Sequence, residues 1–408
     1  MRIAALFNPK IRRGIEGRKD ILKTTREKTA KFDRDKVTIW FHSSSLGEFE
    51  QAKPIIEHLK KQGGVNIFVS FFSPSGYDNS VKYPHADAVS YLPIDTPASA
   101  RKFISILNPA IAVFMRYDIW PNFIVALKQA NVPSFLVDAT MRDNSPRLNP
   151  VLRGFHHGLY SAFRYILTIS EGDLNNFLRF RLDPAKVLKS GDTRFDRVYA
   201  RAEIAKERKL IRDGLLDGKK VIVAGSIWEE DEEVLLPTVK KLLGYYEDVV
   251  VILVPHEPTI LHLEKLENEF AGLEPTIRFS FLNSYKNERV ILVDSIGILM
   301  TLYYYADIAF VGGSFKSNVH NTLEAAVYGI PVVYGPKTGN SQEAGQLADS
   351  GGGFIVKTKK EMYRVMRTLL TDDQARKNAG EKSRDFVMKN TGATSIIMDK
   401  IREVIKLP

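Results

Sequence analysis

The sequence predicts an α/β protein with two domains, each built on a parallel β-sheet covered by helices. In both halves of the 408-residue chain, short apolar runs alternate with longer stretches that have the apolar spacing of a helix. This alternation is typical of parallel sheets, because their strands need a crossover helix between them. The chain is also longer than one hydrophobic core usually fills, which favours two domains of similar size.

The first series of predicted strands follows residue 36. Val37–His42 has the continuous apolar character of a strand buried on both faces, and Leu46–Gln62 has the spacing of an amphipathic helix. Four more strands are expected in this half, at Val65–Phe72, Ala110–Met115, Val132–Val137 and Tyr165–Ile169.

The second series begins at residue 219. A strand at Lys220–Ala224 precedes a helix at Asp231–Leu243, and Val249–Val254 is again a buried strand. A charged, helix-like stretch with two late glycines, at 199–218, separates the two series, so we place the domain boundary there. The remaining strands are expected at Val290–Val293, Ile308–Val311, Ile330–Val333 and Gly353–Val356.

The composition excludes several classes of protein. Hydrophobic residues make up 44% of the chain and charged residues 26%, which are ordinary values for a globular protein. The absence of cysteine excludes a disulfide scaffold, a thiolate zinc site and a cysteine nucleophile. The histidines form no HExxH pattern, so we expect no metal ion and no other cofactor. No apolar run approaches the about 20 residues of a membrane-spanning helix.

Positive charge is concentrated near the N-terminus. Residues 1–36 contain twelve Lys or Arg and five Asp or Glu, so this segment carries +7 of the net charge of +10. Such a segment suits an anionic membrane surface or a nucleic acid, and a solvated basic helix is an equal alternative. Nucleic acid is disfavoured because no zinc-finger spacing or aromatic RNA-binding pattern accompanies the charge. We therefore divide the chain into a basic membrane-associating segment at 1–36 and domains at 37–200 and 201–408.

Small and hydroxylated residues follow the first predicted strand, in the segment Ser43-Ser44-Ser45-Leu46-Gly47-Glu48. Ser45 and Gly47 would let a ligand approach the NH groups at a helix N-terminus, with Glu48 in the first helical turn. An ordinary helix cap, with a serine as N-cap and Glu48 near the positive end of the helix dipole, explains the same spacing. Both interpretations stay open at this point.

Polar residues also follow the next two strands. Ser75 and Gly76 come after the second strand, where a simple turn is the alternative, and Asp118 comes after the third. Because the carboxyl ends of parallel strands meet at one edge of a sheet, we expect these residues to face one ligand site.

In the second half, Gly312, Gly313 and Ser314 follow a predicted strand. The glycines and the NH groups of the next helix could hold a phosphate, and Glu324 could accept hydrogen bonds from two ribose hydroxyls. A tight turn and a helix-surface acid are the alternatives. Ser226, after the first strand of this half, could also reach a phosphate.

Three common motifs are absent from the sequence. It contains no GxxxxGK[ST], no GxGxxG after the first strand and no GxSxG. These absences disfavour a P-loop NTPase, a dinucleotide-dependent dehydrogenase and an α/β-hydrolase.

The motifs that are present resemble those of a known family. The pattern GGS…HNxLEAAxxGxPV is similar to the sugar-nucleotide motif of GT-B glycosyltransferases. The chain as a whole resembles the Kdo transferases, which move 3-deoxy-D-manno-octulosonic acid (Kdo) from CMP-Kdo onto a lipid A precursor. The likeness is carried, in order, by IWFHSSSLGEFEQAKPII, SFFSPSGYD, YLPIDTP, DIWPN, GDTRFDRV, AGSIWEEDEE, DSIGILMTLYYYADIAFVGGSF and HNTLEAAVYGIPVVYGP.

This resemblance implies a GT-B fold, with two Rossmann-like domains facing each other across a cleft, and a role for each motif. The acid of the family's LGE motif, here Glu48, acts as the catalytic base, and no metal is expected. The resemblance assigns Gly312, Gly313, Ser314, His320, Asn321 and Glu324 to the CMP site, and we add Ser226 and His256 to the expected donor site. We expect the acceptor or Kdo side to comprise Ser45, Gly47, Ser75, Gly76 and Asp118.

The sequence departs from the family pattern at two sites. Family members often have Glu-Thr-Glu where this chain has Arg116-Tyr117-Asp118, so only the second acid is retained. Many also have Pro-Arg-His where this chain has Pro255-His256-Glu257, which makes His256 the candidate for the role of that arginine.

The resemblance also implies partners and a location. The expected partners are CMP-Kdo, a lipid A precursor and an anionic membrane surface. The expected location is the cytoplasmic face of the bacterial inner membrane, with peripheral attachment or a single N-terminal anchor. Two alternatives stay open: another GT-B enzyme that uses a different nucleotide sugar, and a non-catalytic membrane-bound binding module.

Overall fold

The computed structural model describes residues 9–406, with side chains described from residue 12 onward. The chain forms two compact units. The first consists of the residues up to Arg197 together with those from Thr391 onward, and the second consists of Val198–Asn390.

A seven-stranded parallel sheet forms the centre of the first unit. Its strands are β1 (Val37–Ser43), β2 (Val65–Phe71), β3 (Ala88–Tyr91), β4 (Ile111–Met115), β5 (Ser134–Ala139), β6 (Tyr165–Thr168) and β7 (Val187–Lys189). Their order is β3-β2-β1-β4-β5-β6-β7, in which the chain winds outward from β1 in both directions, as in a Rossmann fold.

The helices of the first unit cover this sheet. They are α1 (Pro9–Glu16), α2 (Ile21–Thr29), α3 (Leu46–Gln62), α4 (Pro74–Ser80), α5 (Pro97–Leu107), α6 (Pro121–Gln129), α7 (Pro150–Tyr160) and α8 (Glu171–Leu178), with α9 (Thr193–Lys206) containing the boundary between the units. In α3, the buried side chains include Phe49, Ala52, Ile56 and Leu59, whose spacing of three or four residues gives the helix one apolar face.

The second unit repeats this architecture. Its strands are β8 (Lys220–Ile227), β9 (Val249–Pro255), β10 (Thr276–Arg278), β11 (Val290–Leu292), β12 (Ile308–Val311), β13 (Val332–Tyr334) and β14 (Gly353–Ile355). All pairs are parallel, in the order β10-β11-β9-β8-β12-β13-β14. The helices are α10 (Glu229–Tyr245), α11 (Ile260–Phe270), α12 (Leu299–Tyr303), α13 (Leu323–Ala326), α14 (Gln342–Ser350), α15 (Lys359–Thr371) and α16 (Asp373–Lys389).

The predicted α/β class is confirmed, and every strand expected from the sequence is present with ends within three residues of the prediction. Three strands were not predicted: β3, β7 and β10, which have only three or four residues each and lie toward the outside of their sheets. The helix-like stretch at 199–218 is helical only as far as Lys206.

The predicted extent of the second domain, 201–408, is wrong at its C-terminal end. The last helix, α17 (Ala393–Arg402), belongs to the first unit because Ile397, Met398 and Ile401 are fully buried in the apolar cluster that also contains Ile55. Asp196 fixes the start of this helix, since its carboxylate accepts the amides of Gly392 at 2.5 Å and Thr394 at 2.6 Å.

The basic N-terminal segment is also not separate from the first domain, contrary to the prediction for 1–36. The Arg18 guanidinium donates to the carbonyls of Leu92 at 2.9 Å and Phe72 at 2.6 Å, and burial lowers its pKa. Lys28 donates to the carbonyl of Val89 at 2.6 Å. Residues 1–8 lie outside the described residues. Within residues 9–406, no helix combines the length and apolar character that crossing a membrane requires.

The packing of α17 in the core of the first unit leads to a prediction about stability. Ile397→Ala should lower the free energy of unfolding by about 2–5 kcal/mol, because it leaves a cavity at a fully buried position. Ile396→Ala is the matched control, since Ile396 is 41% exposed and should change stability by less than about 0.5 kcal/mol. Urea denaturation of both variants measures the difference. Equal effects would contradict the placement of α17 in the core.

Candidate functional site

Each sheet has a position where the winding of the chain reverses, between β1 and β4 in the first unit and between β8 and β12 in the second. Ligands of α/β sheets bind beyond the carboxyl ends of the strands at such positions. Glu48 and Asp118 follow β1 and β4, whereas Ser226 and Gly312 lie at the ends of β8 and β12. Each unit therefore has one candidate site.

Glu48 lies in the first turn of α3 and is 6% exposed. Its Oε2 atom accepts the Ser44 amide at 2.6 Å, and its own amide donates to the Ser45 hydroxyl at 3.4 Å. The helix-cap interpretation is therefore confirmed for Ser45. Among the described residues none donates to Oε1 of Glu48, which leaves this oxygen available to a substrate. A Cβ at Gly47 would meet no atom within 4 Å, so the space beside this helix N-terminus is open.

Asp118 accepts several hydrogen bonds at one carboxylate oxygen. Trp120 Nε1 donates to Oδ2 at 2.8 Å, the Ser44 hydroxyl donates to the same atom, and His42 Nε2 lies 2.9 Å from it. Ser44 thus links the two acids, because its amide contacts Glu48 and its hydroxyl contacts Asp118.

His42 is fully buried and connects Asp118 to the interior of the sheet. Its Nδ1 atom lies 2.8 Å from the Ser70 hydroxyl, which accepts the Trp40 indole N–H at 2.8 Å. The indole can only donate, so the Ser70 hydroxyl is free to donate to Nδ1, and the Nε2–H of His42 then donates to Asp118. In this arrangement the N–H of Trp40, the hydroxyl of Ser70 and the Nε2–H of His42 each donate one hydrogen bond.

The surroundings shift the pKa values of Glu48 and Asp118 in opposite directions. Burial raises the pKa of Glu48, and the negative charge of Asp118 raises it further, against the opposing hydrogen bond from Ser44. Burial would also raise the pKa of Asp118, but the hydrogen bonds from His42, Ser44 and Trp120 hold that pKa below its usual value. Pairs of acids whose pKa values are separated in this way are typical of general acid–base sites.

The segment after β2 contains Ser75 and Gly76, which were both predicted to face the ligand site. Ser75 is exposed in the first turn of α4, but Gly76 is buried, and a Cβ there would lie 2.5 Å from the Phe71 ring. The Gly76 amide donates to the Ser73 hydroxyl at 3.1 Å. The close packing on Phe71 explains why a glycine stands at this position. A contact between Gly76 and a ligand stays a prediction.

The glycine pair of the second unit is not an open phosphate cradle. The amide of Gly312 donates to the Gly225 carbonyl at 2.9 Å, and the amide of Gly313 donates to Oδ2 of the fully buried Asp231 at 2.6 Å. A Cβ on Gly313, whose φ is +92°, would lie 2.4 Å from the Asn318 carbonyl oxygen. Because both amides already have acceptors, the structure disfavours a phosphate at these two N–H groups. The assignment of Gly312 and Gly313 to the donor site stays a prediction.

Ser314 and Asn321 also have structural partners. Ser314 is fully buried, and its hydroxyl accepts the Gly335 amide at 2.6 Å, so the structure gives it a role in the fold, and its donor-site role stays a prediction. Asn321 is exposed, and its Oδ1 accepts the Leu323 amide at 3.2 Å at the start of α13. Its side-chain amide donates to Oε1 of Glu324 at 3.3 Å, which orients that carboxylate.

Glu324 lies in the first turn of α13 with its side chain 22% exposed, and Oε1 is 3.8 Å from the Arg201 guanidinium. Burial, followed by the charge of Glu324, raises the pKa of Tyr303 and of Tyr328. The hydroxyl of Tyr328 is buried and has no hydrogen-bond partner in the described part of the chain. The carboxylate is thus accessible and surrounded by groups that could contact a polar ligand.

Three aromatic rings lie beside the ends of β8 and β9. The Trp228 indole N–H donates to Nε2 of His320 at 3.0 Å. The ring of His256 stacks on both, with centroids 4.3 Å from Trp228 and 4.6 Å from His320. Ser226, whose φ is +52°, lies two residues before Trp228, in a backbone region that side chains rarely adopt and that is common at functional sites.

Several residues of these sites were missed by sequence reasoning. His42 and Ser70 are polar residues within mainly apolar strands, and they are direct neighbours in the register of β1 and β2. A parallel pairing of the two runs would have indicated this contact. Asp231 was predicted only as the first residue of a helix, and Trp228 was part of a quoted motif but received no role of its own. Within residues 9–406, no group of three or more His, Cys, Asp or Glu side chains is placed to hold a metal ion.

Comparisons with known proteins show which family the sequence is similar to. Residues 17–197 match the family model described as 3-deoxy-D-manno-octulosonic-acid transferase (kdotransferase). The chain is 30% identical over 375 residues to a 3-deoxy-D-manno-octulosonic acid transferase of Aquifex aeolicus, covering 91% of this chain and 94% of the relative. It is 27% identical over 380 residues to the transferase of the same description from Haemophilus influenzae, covering 90% and 87%.

A solved structure confirms the fold class. The UDP-GlcNAc 2-epimerase from Neisseria meningitidis bound to UDP-GlcNAc has a TM-score of 0.62 with this chain at 16% identity, covering 90% of this chain and all of that one. The two-domain α/β fold of the GT-B type, predicted from the sequence, is therefore confirmed.

The acid pair generates a titration prediction. Asp118→Asn keeps the hydrogen-bonded shape but removes the negative charge that raises the pKa of Glu48, so this pKa should fall. The ¹³C-carboxyl signal of Glu48, assigned with Glu48→Gln, should therefore titrate at lower pH in Asp118→Asn than in the unmodified protein. Asp183→Asn, which removes an acid from a different loop, is the control and should leave the titration in place. An unchanged or higher midpoint in Asp118→Asn would refute the coupling.

Proposed function

Because this chain belongs to the 3-deoxy-D-manno-octulosonic acid transferase family, we propose that it transfers Kdo from CMP-Kdo to a lipid A precursor. The observation that carries the proposal is the pair of acids in the first unit. Glu48 has a raised pKa and a free carboxylate oxygen, and Asp118 is held ionised beside it. A glycosyltransferase needs one such base for the acceptor hydroxyl.

In the proposed reaction, Oε1 of Glu48 takes the proton of an acceptor hydroxyl. The acceptor oxygen then forms a bond to the anomeric carbon of Kdo, while the bond from that carbon to the phosphate oxygen breaks and CMP leaves. A raised pKa favours this step, because a base works best when its pKa lies near the working pH. The proposal needs no metal or other cofactor, and that expectation stays a prediction.

The second unit is proposed to bind the donor. Ser226, His256 and His320 lie around the winding reversal of the second sheet, and the Glu324 carboxylate is accessible to the ribose of CMP. Because the amides of the glycine turn are already used, the phosphate is proposed to be bound by side chains in this neighbourhood. His256 is exposed and follows β9, which supports its proposed role in place of the family's arginine.

The same proposal places the protein on the cytoplasmic face of the inner membrane. Arg18 and Lys28 make structural hydrogen bonds, but Lys19, Lys23 and Lys31 are exposed on the N-terminal segment. Each basic residue near an anionic leaflet contributes about 1 kcal/mol, and salt weakens this attraction.

An apolar surface lies on α7 of the same unit. Val151 is 88% exposed, Phe155 is 59% exposed, and Leu152 lies between them in the sequence. The turn before α7 is connected to the Asp118 loop, since Arg147 donates to the carbonyl of Tyr117 at 3.0 Å. We propose that this surface contacts the acyl chains of the acceptor or its membrane.

Of the two alternatives from the sequence, the non-catalytic module does not agree with membership of a transferase family. A different nucleotide sugar is tested by a donor panel that compares CMP-Kdo with UDP-sugars and CMP-sialic acid. Transfer from a UDP-sugar in preference to CMP-Kdo would favour this alternative.

The base assignment predicts a selective loss of turnover. Glu48→Gln keeps the shape of the side chain but removes its basicity, so kcat should fall by about 10²–10⁴ with the KM for CMP-Kdo nearly unchanged. Glu57→Gln, at an exposed position of the same helix, is the control and should retain normal kcat. Steady-state kinetics on detergent-dispersed acceptor measures both. Substantial activity in Glu48→Gln would reduce Glu48 to a helix-capping residue.

The donor assignment predicts weaker nucleotide binding. Glu324→Ala should weaken the binding of CMP and CMP-Kdo alike by about 1.5–3 kcal/mol, because it removes hydrogen bonds to a charged group. Glu381→Ala, at an exposed position of α16, should bind CMP normally. Isothermal titration calorimetry decides, and an unchanged affinity for CMP in Glu324→Ala would make Glu324 a structural acid.

The membrane assignment predicts a salt-sensitive interaction. Reversing the charge of Lys19, Lys23 and Lys31 to Glu should release the protein from anionic vesicles and leave turnover on detergent-dispersed acceptor intact. The matched control reverses Lys377, Lys382 and Lys389, three exposed lysines of the second unit. Vesicle sedimentation at low and high salt measures binding. If the variant with Lys19, Lys23 and Lys31 reversed still binds vesicles, and does so at high salt, binding is not electrostatic. This result would favour the apolar surface on α7.

A further inference from the structure

The hydrogen bond between Trp228 and His320 determines where His320 carries its proton. Trp228 Nε1 and His320 Nε2 are 3.0 Å apart. An indole nitrogen is only a donor, so Nε2 of His320 must be the unprotonated acceptor. The single N–H of the neutral imidazole then lies on Nδ1.

A charged His320 would conflict with this contact. An imidazolium has a proton on both nitrogens, so its Nε2–H would face the Trp228 N–H and the hydrogen bond would be lost. Glycine at 313 allows the ring to lie against the backbone, since a Cβ there would be 2.7 Å from Cδ2 of His320. Packing and hydrogen bonding together therefore fix both the position of the ring and its protonation.

The surroundings of Trp228 and His320 also favour the neutral form of His320. Burial lowers the pKa of His320, His256 lowers it further, and the negative charge of Asp231 raises it by less than burial lowers it. Lys316 also lies against the pair, with its Nζ 3.7 Å from the centroid of the Trp228 ring and 3.8 Å from Oε1 of Glu230. His256 covers both rings, with its plane inclined by 26° to Trp228 and 18° to His320.

We propose that Trp228 is a positioning residue that holds His320 as the neutral imidazole with its proton on Nδ1. Nδ1 has no hydrogen-bond partner within the described residues, so its N–H is free to bind an acceptor atom of a ligand. The nature of that ligand rests on the proposed function, under which it is an oxygen of the CMP part of the donor. A neutral donor binds such an oxygen without placing another positive charge beside Lys316.

The protonation state can be measured without any ligand. In protein labelled with ¹⁵N-histidine, two-bond ¹H–¹⁵N spectra distinguish a protonated ring nitrogen from an unprotonated one, and His320→Asn assigns the signals of His320. The unmodified protein at neutral pH should show an unprotonated Nε2 and a protonated Nδ1. A protonated Nε2 would overturn the proposal, whatever the variants do.

Two variants separate the hydrogen bond from the stacking. Trp228→Phe keeps an aromatic ring but lacks the N–H, so His320 should lose its preference for the Nδ1–H form and titrate at higher pH. His256→Ala removes the stacked ring but keeps the N–H donor, so the Nδ1–H form should persist. Loss of that form in His256→Ala with retention in Trp228→Phe would contradict the assigned role of Trp228.

Addition of CMP tests the ligand separately. Saturating CMP should shift the Nδ1 signal of His320, and Trp228→Phe should bind CMP about tenfold more weakly, the loss expected for one hydrogen bond. If His320 has the expected tautomer but CMP leaves its signal unchanged, the role of Trp228 stands and the proposed donor site at His320 is refuted.

Discussion

A buried chain of hydrogen bonds at the carboxyl end of β1 determines the chemistry of the first unit. It runs from the Trp40 indole through Ser70 and His42 to Asp118, and its inner members are fully buried. Leaving any one of these groups unpaired would cost about 1–3 kcal/mol, so the side chains have little freedom to rearrange. These hydrogen bonds keep Asp118 ionised, and the negative charge of Asp118 raises the pKa of Glu48. The basicity of Glu48 therefore depends on the register of β1 with β2, which places His42 beside Ser70.

The second unit uses a buried carboxylate for a different purpose. Asp231 accepts the amides of Trp228 at 2.9 Å, Gly313 at 2.6 Å and Phe315 at 3.2 Å, and thereby fixes the loop after β12 against the start of α10. The backbone of this loop is committed to the fold, so recognition in this unit falls to side chains. The ring of His320 is one of them, and its hydrogen bond with Trp228 ties its protonation to the same loop arrangement.

The sequence predicted most of the sheet architecture, because continuous apolar runs are a sufficient signal for strands buried on both faces. It also placed Glu48 and Asp118 correctly at neighbouring strand ends. At Gly76 and Gly313 the sequence alone could not show the close packing, because a glycine needed for close packing leaves the same pattern as one that a ligand approaches. The return of α17 to the first unit could not be predicted either, since it depends on apolar contacts with residues more than 300 positions earlier in the chain.

Transfer of Kdo to a lipid A precursor is tested most directly by incubating the purified protein with CMP-Kdo and a tetra-acylated lipid A precursor and identifying the products by mass spectrometry. We expect a lipid whose mass has increased by one or more Kdo residues, together with an equal amount of released CMP. Release of CMP with free Kdo and an unmodified lipid would contradict the proposed function, because the enzyme would then hydrolyse the donor without using this acceptor.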